Sequence, residues 1–193
     1  MFNEKSKAVD NMVSSVIGNG GASENLKGGG VFEVTCRDKD GNVKWSTQSH
    51  NLVVNVGLQD MSTKYFSGSS YTAAWYLGLY GAGGSNSPAA GDTMASHAGW
   101  AENGSYSEAT RQACTFGTAT TADPSVITNT ASPASFSINA STIIGGAFLT
   151  SSNTKSGTTG ILFSAADFSS PGDRSVVSGD TINVTYTFSL DAA

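Results

Sequence analysis

The chain has 193 residues, 38% of them hydrophobic and only 13% charged, which suits one domain with a real core and excludes a charge-driven disordered chain. A net charge of −5, a pI near 4.8 and the lack of any Lys/Arg cluster argue against nucleic acid as a partner. No stretch approaches the roughly 20 apolar residues of a membrane span, and residues 1–21 lack the apolar core of a signal peptide, so neither membrane nor secretion is expected and the chain is expected to be made in the cytoplasm.

Residues 3–17 place Val9, Met12, Val13, Val16 and Ile17 at i, i+3, i+4, i+7 and i+8, with Glu4, Lys5, Lys7 and Asp10 toward the start, a pattern that predicts a short amphipathic helix. "GNGG" at 18–21 stops it and "GGG" at 28–30 follows, so residues 1–30 read as a helical arm on a Gly-rich linker and 31–193 as the body. A helix this short is marginal alone in water. Its apolar face must therefore be covered, either by its own domain or by a molecule to which it anchors.

From residue 31 the pattern is β. "VFEVTC" and "NVKWSTQ" flank "RDKDG", a hairpin signal at Asp40-Gly41; the spacing of Asp38, Asp40 and Asn42 does not fit a calcium loop. Leu52, Val53 and Val54 suit a strand, and Leu58, Met61 and Tyr65 are spaced for one face of a short helix. "AAWYLGLYG" (73–81) reads as a core strand. The irregular segment 82–101 is long for a connection and reads as a surface excursion or part of a binding face.

Beyond it come "SVITNTA", "ASFSINA", "TIIGGAFLTS", "GILFSAADF" and "DTINVTYTFSL", the last alternating Ile182, Val184, Tyr186, Phe188 and Leu190 against polar neighbours. Short strands between Gly/Ser/Asn turns predict a mainly β protein, an antiparallel β-sandwich or jelly roll, with "SSNTKSGTTG" (151–160) as an exposed turn between two neighbouring strands.

Little in the chain suggests chemistry. The histidines are His50 and His97, and only Asp92 and Glu102 lie near His97 in sequence, without metal-ligand spacing. Cys36 and Cys114 lack the spacing of a zinc or redox motif and are expected as free thiols in a reducing compartment. No nucleophile elbow or phosphate-binding glycine motif is present, so no catalytic residue, cofactor site or metal site is assigned. Carboxylates such as Asp60, Asp92, Glu102, Glu108, Asp123, Asp167, Asp173 and Asp180 could pair for glycoside hydrolysis, which keeps a polysaccharide-degrading enzyme as a minor reading. Aromatics in such a fold more often serve the core or an interface than a sugar-stacking platform. Trp75, Tyr76, Leu79, Tyr80 and Trp100 are accordingly the candidate interface, and Val9, Met12, Val13, Val16 and Ile17 the candidate anchoring arm.

The phrases "HNLVVNVGLQDM", "WYLGLY", "HAGWAENGSYSEATRQACTFG", "IIGGAFLTSSNTKSGTTGILFSAADFS" and "VVSGDTINVTYTFSL" resemble, in that order, a group of small tailed-bacteriophage virion proteins. The resemblance spans about residues 31–190 and implies no reaction and no cofactor. It implies a virion location; the decoration reading that follows makes copies of the chain itself (dimer or trimer) and the major capsid protein the expected partners. A compact β body with an extended arm suits a capsid decoration or cement protein. The alternative is a tail-fibre, fibre-adaptor or receptor-binding component, although no fibre repeat or heptad is visible.

Overall fold

The computed structural model describes residues 26–68, 71, 74–81, 87–168 and 172–192. The expected helix at 3–17, with Val9, Met12, Val13, Val16 and Ile17, lies outside the described residues. In chain order the elements are β1 (Lys27–Arg37), β2 (Val43–His50), β3 (Leu52–Val53), α1 (Asn55–Phe66), β4 (Tyr76–Gly81), β5 (Gln112–Ala113), β6 (Ser125–Thr128), β7 (Ala134–Ser137), β8 (Thr142–Thr150), β9 (Leu162–Asp167), β10 (Arg174–Val176) and β11 (Thr181–Asp191).

The strands form two antiparallel sheets. One runs β2-β1-β11-β6, with β7 also on β11; the other runs β3-β9-β8-β4-β5, with β10 on β8. Their facing sides share one core: Phe32, Val34, Phe136, Ile182, Val184 and Tyr186 from the first sheet meet Leu77, Leu79, Ile144, Leu149 and Phe163 from the second. This is the mainly β, two-sheet arrangement expected from the strand spacing.

The β1/β2 turn closes through Asp38, whose Oδ1 accepts the backbone N–H groups of Asp40 and Asn42, both at 2.9 Å, while Gly41 takes φ 86°. The hydrogen bonds from Asn42, side chain and backbone, hold the Asp38 carboxyl below its usual pKa. Strand β11 is central, and Ile182, Val184, Tyr186 and Phe188 point into the core as their alternation requires. Strands β6 and β7 pair with the same edge of β11 one after the other. Buried Asn129 fills the gap between them: its Oδ1 accepts the Tyr186 N–H at 2.7 Å and its Nδ2 donates to the Val184 carbonyl at 3.3 Å. The side-chain amide thus replaces ladder bonds that the interrupted strand does not make.

Two expectations need correction. Gly28, Gly29 and Gly30 are not linker but the start of β1, opposite Leu190, Ser189 and Phe188, so the body begins near residue 27. Glycine is required there for packing: a Cβ on Gly30 would sit 2.8 Å from the Tyr186 hydroxyl and from the Thr187 carbonyl oxygen. Helix α1 exists, but Leu58 and Tyr65 are 45% and 81% exposed. It meets β9 instead through Gly57, where a Cβ would lie 2.5 Å from the Phe163 carbonyl oxygen. The 151–160 turn joins the paired strands β8 and β9 and is largely exposed, as expected, while some of its backbone groups dock on the segment 102–111 described below.

Candidate functional site

The second sheet is covered on its outer side too, by the irregular segment that contains Met94 and Trp100. These two pack with Val54, Tyr80, Phe148, Leu162 and Ala165 in a second apolar cluster. Burial on both faces explains why β4 and β8 read as continuous apolar runs. It also corrects the candidate interface: Leu79, Tyr80 and Trp100 are core residues with no free face, whereas Trp75 and Tyr76 are half-buried.

The charged groups that sequence alone left unplaced are engaged in holding this covering in place. Arg111 and Glu102 form a buried ion pair, Nε to Oε1 at 3.0 Å and Nη2 to Oε2 at 2.7 Å. The guanidinium also donates to the carbonyls of Ser152 (2.9 Å) and Gly157 (2.8 Å), and Glu102 accepts the N–H of Ser156, which sits at φ 59°. Lys155 extends the same clamp, donating to the carbonyls of Tyr106 and Glu108 with its ammonium 4.2 Å from the Tyr106 ring centroid. Burial, reinforced by the Glu102 charge, raises the Tyr106 hydroxyl's pKa.

His97 and Asp92 both engage Trp100. The His97 ring stacks on Trp100 at 4.0 Å, and its Nδ1 lies 2.7 Å from the Trp100 carbonyl; the indole N–H donates to Asp92 at 3.0 Å. Glu108 accepts the Ser137 N–H, Asp123 the Ala192 N–H, and Asp180 binds Lys44 and the Val177 N–H. Among the described residues no three His, Cys, Asp or Glu side chains are grouped for a metal, and no helix is long and apolar enough to cross a membrane. Cys36 and Cys114 are buried free thiols. Burial, with the Asp180 charge, pushes Cys36 up to about 11, and burial alone pushes Cys114 up to about 12.

The feature best shaped to receive another group is apolar. At one end of the sandwich, between α1 and the two sheets, lies a cavity of about 360 Å³ walled by Met61, Trp75, Phe116, Phe163 and Phe188. Its aromatic walls pack edge-on, Trp75 to Phe163 at 5.4 Å and Phe163 to Phe188 at 5.5 Å. At the mouth Tyr65 and Tyr71 are 81% and 52% exposed, and Phe66, 82% exposed, packs edge-on against Tyr65 at 4.9 Å, a concentration of aromatic surface that a solvated face does not require. Lys64 and Asp60 pair at 3.2 Å on the rim. Of the residues proposed from sequence, Trp75 belongs to this site and Tyr76 lies next to it in the chain. Arg111 and Phe116 carry no sequence signal, and Phe188 reads only as one position on the alternating face of the last strand, since contacts formed across the two sheets leave no local pattern.

Compared with protein-family models, with curated proteins and with solved structures, the chain finds no match.

Proposed function

We propose that the chain is a non-enzymatic structural protein of a tailed-bacteriophage virion, a decoration or cement protein that binds the assembled head, with the major capsid protein and further copies of itself as partners. We read its two-sheet body as a jelly-roll-like module. The supporting observation is the clamp. Two of the phrases that carry the resemblance, "HAGWAENGSYSEATRQACTFG" and "IIGGAFLTSSNTKSGTTGILFSAADFS", meet in space at Glu102, Arg111, Ser152, Ser156 and Gly157. This supports a structural reading, because the ion pair is engaged with backbone groups that brace the two loops against each other. Cementing needs area and shape fit, and mass action does the rest, since a protein that binds assembled shell in preference to free subunits favours assembly.

The test is to add the purified chain to heads that lack it. The proposal expects saturable co-sedimentation with heads, little binding to unassembled shell subunits, and a higher temperature of head disruption. Failure to bind heads, or equal binding to free subunits, would contradict it.

The exposed Tyr65, Phe66 and Tyr71 favour a second reading, a fibre or receptor-binding component, because aromatic rows also suit a glycan or a protein receptor.

A further inference from the structure

We infer that the cavity beside α1 is the docking site for the chain's own residues 9–17, and that in the free protein their apolar face is held there. The site and the segment are complementary and adjacent. Phe32, Val34 and Cys36 of β1 face the core, and Gly28 and Gly30, on the same side of the strand, lie against Phe188 and Tyr186, both of which line the cavity. A Cβ on Gly28 would lie 3.4 Å from the ring of Phe188, a cavity wall. The N-terminal end of β1 thus lies beside the cavity, and Leu26, the first described residue, is 68% exposed.

Residues 18–25, "GNGGASEN", separate Ile17 from that entry point. Fully extended they span up to about 27 Å, at roughly 3.3–3.6 Å per residue, whereas a helix over 9–17 is about 14 Å long. Reach does not limit docking. A Gly-rich tether of this length keeps the segment at an effective concentration of about millimolar, which no separate partner matches at ordinary dilution. The spacing of Val9, Met12, Val13, Val16 and Ile17 provides one apolar stripe. Such a helix is marginal alone and needs a hydrophobic seat, while the cavity and its exposed aromatic rim need a cover. This inference concerns the free protein and does not depend on what the body binds. Should the same segment anchor to a shell, it must first leave the cavity, so the two dockings compete.

The test uses the full chain carrying Met12→Cys with Lys64→Cys at the rim, under mild oxidation; Cys36 and Cys114 are too buried to interfere. The inference expects a disulfide within one chain, on a monomer, formed at least tenfold faster than in an Asn11→Cys/Lys64→Cys control, since Asn11 lies on the opposite side of the helical stripe. A disulfide-linked dimer would overturn it by giving the cavity to the segment of a second copy. A rate no faster than the control would overturn it as well. Independently of any change in the body, Val13→Asp/Val16→Asp in the full chain is expected to raise binding of the apolar dye ANS severalfold with an unchanged far-UV circular dichroism spectrum. Dye binding equal to that of the parent chain would overturn the inference.

Discussion

Arg111 holds three pieces of chain together: Glu102 before β5, and the carbonyls of Ser152 and Gly157 in the β8/β9 loop. Removing one partner of a buried pair leaves the other charged and unpaired, so Arg111→Met should cost about 3–5 kcal/mol in urea unfolding. Glu102→Leu/Arg111→Met should recover only part of that, because the two loop carbonyls still lose their donors. A cost below about 1 kcal/mol for the single variant would show that the pair behaves as an exposed one. The thiols give a pH signature. Their folded pKa values, about 11 and about 12 against an ordinary 9.0, are raised, so their contribution is complete below pH 9 and is lost as pH rises from there toward the folded values. Buried Tyr80, Tyr106 and Tyr186, also raised by burial, add to the loss above about pH 10. The unfolding midpoint should therefore fall between pH 9 and 10 less steeply in Cys36→Ala/Cys114→Ala than in the parent chain. Labelling of both thiols by a disulfide reagent should require unfolding.

Neighbouring glycines of β1 separate packing from flexibility at the level of the strand. Gly29 has open space where a Cβ would go, while Gly30 faces the Tyr186 hydroxyl and the Thr187 carbonyl. Gly29→Ala is thus expected to be neutral or stabilising by up to about 1 kcal/mol, and Gly30→Ala to destabilise by about 1–3 kcal/mol, as measured by chemical denaturation. Equal effects would place residues 28–30 outside the sheet. The same strand shows what sequence could and could not convey. Alternation in β11 and the Asp-Gly hairpin were legible because each is a local rule: side-chain period 2, and a turn that only a few residues tolerate. The glycine run at 28–30 was misread because local composition cannot distinguish a flexible linker from a strand whose partner, 160 residues away, crowds it. Likewise Leu58, Met61 and Tyr65 predicted the existence of α1 but not its orientation, since the helix seats on β9 through Gly57, a residue with no hydrophobic signal. Arg111 and Lys155 were invisible as a clamp for a related reason: the sequence shows an isolated charge, and only the sheet packing brings carbonyls to it.

At the scale of the whole molecule, the described residues form a tightly cross-braced β body with an apolar cavity at one end of its two sheets, the seat proposed above for the N-terminal segment. The boundary matters for testing attachment. A truncation through residue 28 would remove Lys27 and Gly28, partners of Asp191 and Leu190, whereas deletion of 1–25 leaves the β1/β11 ladder intact. The shorter deletion is expected to keep the strand signature in circular dichroism and to abolish binding to phage heads; undiminished binding would move the anchor from the arm to the body. The proposed virion role is tested most directly by a cryo-electron-microscopy reconstruction of phage particles produced in cells that express this chain from the same genome. The account predicts two-sheet density fitting residues 26–192 at icosahedral positions on the outside of the head, in contact with the major capsid protein. Density for the chain at the tail or fibres alone would contradict decoration and favour host attachment through the aromatic rim, and its absence from the particle would contradict a virion role.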